Sequence, residues 1–275
     1  MRLIEPSLAG AVENMAIDEA MLECSILFED TEPKLRVYTW ADPTLSLGSN
    51  MTLPAGTLER ASMMGLDMVR RPTGGGAVVH RGDVTYSFVA PDPGGSTTRT
   101  YMWIADALLR AFEHLGLDAQ VSQHAGPADA LACFSRPTGA DISIGGRKIC
   151  GSAQVRRRGW LLQHGSIPMT DCRALTRWLL RHDEQDSSTH LGALAPGASQ
   201  ALVMSAIASG FAATFGAVAN DPSPDLAAAE AVMVESLMSA HRSVPDEPAR
   251  WTVIETQRDQ PTPVAEPSSY ALESG

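Results

Sequence analysis

The stretch "VRRPTGGGAVVHRGDVTYSF", residues 69 to 88, sets three successive glycines, Gly74, Gly75 and Gly76, between two strand-like flanks. Glycine adopts positive φ at no steric cost, so such a run lets the backbone turn tightly and bring its N–H groups close to a carbonyl, carboxylate or phosphate. Neither a Lys-Ser/Thr pair nor the G-x-G-x-x-G spacing follows, so the nucleotide loops of P-loop and Rossmann proteins do not fit. A tight sheet corner is the plain alternative, since strand glycines often mark bulges. Arg70, Arg71 and His80 alongside shift the balance toward a ligand.

Outward from that run, "VENMAIDEAMLECSILF" (12 to 28) places Met15, Ile17, Met21, Cys24 and Phe28 at three- and four-residue intervals, which predicts an amphipathic helix. "KLRVYTW" (34 to 40) and "TLSLGSN" (44 to 50) read as strands, and a hairpin is expected across the intervening Ala-Asp-Pro. A short helix near "AGTLERASMMG" precedes a strand at "LDMVRRPT". "TRTYMWIADALLRAFEHLG" (98 to 116) is the clearest helix, with Gly116 as its C-terminal stop. After a strand near "DAQVSQ", residues 124 to 134 lack periodicity and read as a loop carrying Cys133.

"ADISIGG", "RKICGSAQV" and "GWLLQHGSIPM" then read as consecutive antiparallel strands, the first two joined by a two-residue turn at Gly145-Gly146. Further helices are expected around 172 to 182, 199 to 214 and 224 to 241. This order predicts an α+β fold, with mixed, largely antiparallel sheets packed with helices, rather than a doubly wound one. Residues 1 to 243 are expected to form one catalytic-type domain, and the Pro-rich tail from 244 to 275 to be disordered.

Composition narrows the function. A formal charge of −11 argues against nonspecific binding to nucleic acid or an anionic membrane surface. The four cysteines, Cys24, Cys133, Cys150 and Cys172, form no C-x-x-C pair and no Cys/His cluster, so neither a disulfide framework nor a metal site is expected. No signal-like or membrane-length apolar run is present, and a cytoplasmic location is expected. Lysine occurs only at Lys34 and Lys148 among 21 basic side chains. A lysine kept in a Gly-Gly-Arg-Lys turn asks for a chemical reason.

"RRPTGGGAVVHRGDVTYSF", "GRKICGSAQ" and "LQHGSIPM", with "ENMAIDEAML" near the start, occur here in one order. Together they resemble the catalytic domain of the lipoate-protein ligase and octanoyltransferase branch of the biotin/lipoyl ligase superfamily, over roughly residues 3 to 242. The resemblance implies that family's α+β catalytic domain, attaching an eight-carbon acyl group to one lysine of a small carrier domain. Two chemistries share that fold. The ligases activate free lipoate with ATP and usually need an accessory domain, for which the 244 to 275 tail leaves no room unless a separate subunit supplies it. The octanoyltransferases take a thioester from acyl carrier protein and use a cysteine as covalent way station.

"ACFSRP", fifteen residues before Lys148, is similar to the loop of the cysteine-dependent octanoyltransferases of the Gram-positive (LipM) type. That resemblance implies Cys133 as the nucleophile that carries the acyl thioester and Lys148 as the residue that lowers its pKa. A free thiol of pKa about 8.5 is mostly protonated at neutral pH, and a neighbouring ammonium favours the thiolate. The resemblance further implies substrate contacts from Arg70, Arg71, Thr73, Gly74, Gly75, Gly76, Ala77 and His80. It implies others from Gly151, Ser152, Ala153, Gln154, His164 and Gly165.

Cys150 remains a second nucleophile candidate, because on a regular strand it shares the face of Lys148. Cys24 and Cys172, on expected helix faces, read as small core residues. Arg156, Arg157 and Arg158 form either a solvated turn or a patch that meets an acidic carrier. The triple glycine followed by Ala77 looks more like the ligases.

Octanoyl transfer from octanoyl-acyl carrier protein to a lipoyl-carrier domain, such as the glycine cleavage H protein or a dehydrogenase E2 domain, is therefore the expected function. It requires no cofactor. The alternatives are an ATP-dependent lipoate-protein ligase subunit, using ATP and magnesium, and a noncatalytic acyl-carrier-binding protein.

Overall fold

In the computed structural model, which describes residues 1–122, 141–181, 188–216 and 224–242, ten strands among those residues form two sheets. The larger runs in the order β1 (Arg2–Ala9), β2 (Lys34–Trp40), β6 (Val84–Pro91), β10 (Trp160–Ile167), β9 (Arg147–Arg157), β8 (Ile142–Ile144) and β7 (Ala119–Val121). The smaller runs β4 (Asp67–Arg70), β3 (Thr44–Leu47), β5 (Val78–His80). Only the β1–β2 and β3–β4 pairs are parallel, so both sheets are mixed and the fold is α+β as the element order implies.

The main core lies where α3 (Thr97–His114) and α6 (Gln200–Phe215) pack on one face of the large sheet, with Phe88, Phe112 and Phe211 fully buried. Gly210 permits that crossing: a Cβ there would stand 2.3 Å from the Ala107 carbonyl oxygen. Ser96 caps α3 by accepting from the Arg99 amide, and Gly116, at φ 72°, ends it.

The opposite face is covered by α1 (Ala11–Leu27), whose buried Asn14, Asp18, Met21, Leu22 and Ser25 recur at helical spacing. Beyond it, α7 (Pro224–Arg242) packs on α1. On β2, alternate residues Lys34, Arg36 and Tyr38 turn polar groups toward that stripe, and both lysine and arginine are buried there with partners. The small sheet packs with α2 (Thr57–Met63) and α4 (Arg173–Leu180) around Leu45, Met68, Leu179 and Leu180.

The Gly145-Gly146 turn forms as expected, with both residues at positive φ (56° and 73°) between Ile144 and Arg147, the geometry that matches the twist of a tight hairpin. The expected hairpin between β2 and β3 does not form. After Trp40 the chain leaves the large sheet, and β3 pairs with β4 and β5 instead. Strand β1 and the single-turn α5 (Leu191–Leu194) are additions that periodicity did not signal. The loop carrying Cys133 and the tail from residue 244 lie outside the described residues.

Candidate functional site

Strand β5 of the small sheet lies across the face of β9 and β10, and the gap between them is a narrow cleft open to solvent. Its apolar walls come from Met15, Tyr38, Trp40, Val78 and Ala153. Gly151 and Gly165 line it where the two central strands pair. Gly165 has no room for a side chain, since a Cβ would meet Tyr86 Cε1 at 2.5 Å and Ser152 Oγ at 2.7 Å. A cleft that is mostly apolar with a few convergent polar groups is of the kind that takes an acyl chain.

The glycine run is clasped from below. The Arg71 guanidinium donates to the Gly74 and Gly76 carbonyls at 3.1 and 2.7 Å and to Ser46 Oγ at 2.8 Å. The Ser49 amide bonds the Thr73 carbonyl at 2.8 Å, and Gly48 packs so closely that a Cβ would lie 2.0 Å from the Gly75 oxygen. Gly75 itself sits at φ 94°, so the expected use of glycine for a left-handed backbone holds at that position. Arg70 turns away and donates to the carbonyls of Gly48, Ser49 and Met51, supporting the neighbouring loop.

Two buried histidines flank the cleft. His80 stacks on Trp40 at 3.9 Å, with Nδ1 on Asp83 Oδ2 at 2.7 Å and Nε2 on Ser46 Oγ at 2.7 Å. His164 places Nε2 2.6 Å from Thr73 Oγ1 and Nδ1 3.1 Å from Asp18 Oδ2. Burial holds the pKa of His164 below the ordinary imidazole value, with Asp18 opposing. Asp18, fully buried, also accepts from Arg36 at 3.0 Å and Tyr38 at 2.9 Å, and Arg36 stacks on the Tyr38 ring. The opening helix thus orients His164, which in turn holds Thr73 at the head of the glycine run.

Lys148 lies buried on β9, with Nζ 2.9 Å from Asp141 Oδ2. The other lysine, Lys34, is buried against Asp30 and Ser25. Cys150 does not share the face of Lys148. Ile142 pairs with Cys150 and Ser143 with Lys148, so Ile149 is an extra residue that breaks the alternation. Cys150 is then packed in the main core with Ile149. Cys24 is a core residue whose thiol burial pushes up to about 11, unsuited to attack at neutral pH. Cys172 is half-buried, not a full core residue, and burial raises its pKa also. The nucleophile expected on sequence grounds, Cys133, lies outside the described residues.

Ala77 is buried at the start of β5, and Ser152 lines the cleft with its hydroxyl 2.8 Å from Tyr86 OH. Gln154 lies outside the lining, bridging Thr100 and Gln163. The arginines after it are internal ties: Arg156 binds Gly95, Ser96 and Thr100, and Arg157 pairs with Glu19 and Glu23. Only Arg158 is exposed, so a three-arginine docking patch is not formed. Trp40, Ser46 and Asp141 are site residues outside the quoted motifs, whereas Asp18 and Asp83 lie inside them without having been singled out. For Asp18 a signal existed, because Asn14 and Asp18 stand four apart on the buried stripe of a helix.

Among the described residues there is no cluster that could hold a metal ion, and no helix long and apolar enough to cross a membrane. The family model described as the lipoyl protein ligase A/B catalytic domain matches residues 11–195. An octanoyltransferase LipM of Kyrpidia tusciae is 37% identical over 264 residues, covering 87% of this chain and 95% of that protein. The octanoyltransferase LipM of Carboxydothermus hydrogenoformans is 40% identical over 172 residues, covering 60% of this chain and 64% of its own length. Among solved structures, lipoate-protein ligase A bound with ATP superposes with a TM-score of 0.71 at 24% identity, over 89% of this chain and 96% of that one.

Proposed function

The chain belongs to the lipoyl protein ligase A/B catalytic family, and from that premise we propose that it moves an octanoyl group from the thioester of an acyl carrier protein to the lysine amine of a lipoyl-carrier domain. The observation that carries this reading is the similarity to the Kyrpidia octanoyltransferase along nearly its whole length. The cleft supports it: an apolar slot beside a clasped glycine run fits a hydrocarbon chain with its carbonyl at the mouth.

In the first step the Cys133 thiolate attacks the donor's thioester carbonyl; the carbon–sulfur bond to the carrier breaks, and the departing thiolate takes up a proton. Lys148, placed by Asp141, supplies the positive charge that favours the attacking thiolate. In this reading, backbone N–H groups near Gly76 or Gly151 stabilise the tetrahedral oxyanion. In the second step the amine of the carrier lysine attacks the Cys133 thioester; an amide bond forms, Cys133 leaves as thiolate, and the amine gives up its proton. Thioester exchange preserves the activation of the acyl group, so no nucleotide is consumed.

The test mixes the protein with octanoyl-acyl carrier protein and an unmodified lipoyl-carrier domain without ATP, and reads the mass of the carrier. Transfer under those conditions is expected. Modification that requires free fatty acid and ATP would instead identify a ligase, and no modification under either condition a binder.

A further inference from the structure

Hydrogen bonds along the small-sheet wall of the cleft donate in one direction. Asp83 lies in the turn between β5 and β6, and its Oδ2 meets His80 Nδ1 at 2.7 Å, Ser166 Oγ at 2.5 Å and Thr85 Oγ1 at 3.2 Å. Thr85 Oγ1 already accepts from Trp40 Nε1, so its own proton goes to Asp83. An oxygen that meets three donors is a carboxylate acceptor, and His80 therefore carries its proton on Nδ1. Its Nε2 lone pair then accepts from the Ser46 hydroxyl at 2.7 Å. With that proton committed to His80, Ser46 Oγ presents its lone pairs to Arg71, which donates at 2.8 Å. A proton on His80 Nε2 would instead leave the Ser46 proton without an acceptor among the described residues.

The line ends on the glycine run, where Arg71 Nη2 holds the Gly74 and Gly76 carbonyls. Three successive glycines do not define their own peptide planes, so the planes must be set from outside. In a trans peptide the C=O and the N–H point in opposite directions. Holding the Gly74 and Gly76 carbonyls on Arg71 therefore fixes where the N–H groups of Gly75 and Ala77 point. Ser46, Arg71, His80 and Asp83 are all buried, so water does not stand in for a missing link.

We propose that Ser46 and Asp83 are positioning residues for acyl transfer. Asp83 fixes the tautomer of His80, His80 orients the Ser46 hydroxyl, and Ser46 pins the guanidinium that sets the glycine planes. The inference rests on the transferase reading above. A tie that only joins the two sheets would add stability without any effect on the glycine run.

Three measurements on the full chain separate these cases. Imidazole 15N spectra, with His80 identified by its absence from His80→Phe, are expected to show His80 protonated on Nδ1 only. Hydrogen exchange of the peptide containing Gly74 to Ala77, without substrate, is expected to quicken several-fold in Ser46→Ala and to return toward wild type in Ser46→Thr, which keeps the hydroxyl. In single-turnover acylation by octanoyl-acyl carrier protein, Ser46→Ala should lower the limiting rate about tenfold, the loss of a hydrogen bond to a charged group, at an unchanged half-saturating donor concentration. A proton on Nε2, unchanged glycine exchange in Ser46→Ala, equal effects of Ala and Thr, or a weaker donor affinity at an unchanged limiting rate overturns the proposal. The first two readouts involve no acyl transfer. A wild-type chain that takes no acyl group while Ser46→Ala still loosens the glycine amides sinks the transferase reading alone, and normal acylation with unchanged glycine exchange sinks the positioning role alone.

Discussion

At the scale of single residues, the site depends on Asp18, a fully buried carboxylate that receives Arg36, Tyr38 and His164 together. Removing its charge leaves the Arg36 guanidinium buried without its counterion, so Asp18→Asn is expected to cost about 3 kcal/mol in urea unfolding. Asp106→Asn, at an exposed pair, should cost less than about 0.5 kcal/mol. His164 adds a pH dependence. Burial holds its pKa below 6.5 in the folded chain, so below that value the unfolded chain binds more protons and stability falls as the pH drops. The slope from this residue is at most about 1.4 kcal/mol per pH unit, and His164→Gln should flatten unfolding free energies measured from pH 7.5 to 5.5. The motifs led to His80 and His164, whose neighbours in sequence are distinctive. Asp18 lies inside "ENMAIDEAML" but was not singled out, because its three partners come from β2 and β10 and that pairing shows only in the fold.

At the scale of elements, glycine decides how closely they approach. Gly210→Ala is expected to push α6 off α3 and destabilise the protein by about 2 kcal/mol, read as a lowered thermal midpoint, because the obstructing atoms are backbone and cannot rotate aside. Elements with a strong local signature were legible: α1, α3 and the Gly145-Gly146 hairpin follow the periodicity and turn chemistry. Pairing was less so. "KLRVYTW" and "TLSLGSN" are correct strands, but three intervening residues do not dictate that they pair, and β3 finds better burial in the second sheet. Strand β1 was missed because Pro6 interrupts its pattern, which an edge strand tolerates. The bulge at Ile149 was equally invisible, and with it the separation of Cys150 from the face of Lys148.

At the scale of the molecule, β6 and β10 are paired on both edges and covered on both faces, whereas the small sheet contributes the other side of the cleft through short strands. Hydrogen exchange should therefore protect the amides of β6 and β10 longest and release those of β4 and β5 earlier; uniform protection would contradict that division. The large sheet supplies Gly151, His164 and Gly165 to the cleft, and the smaller sheet supplies Ser46, Val78 and His80. The central claim is that Cys133 carries the acyl group between its two partners. Its most direct test is the intact mass of the protein after incubation with octanoyl-acyl carrier protein in the absence of ATP. The account predicts one octanoyl adduct, released by hydroxylamine and absent from Cys133→Ala. No adduct on the wild-type chain, or one that persists in Cys133→Ala, would contradict it.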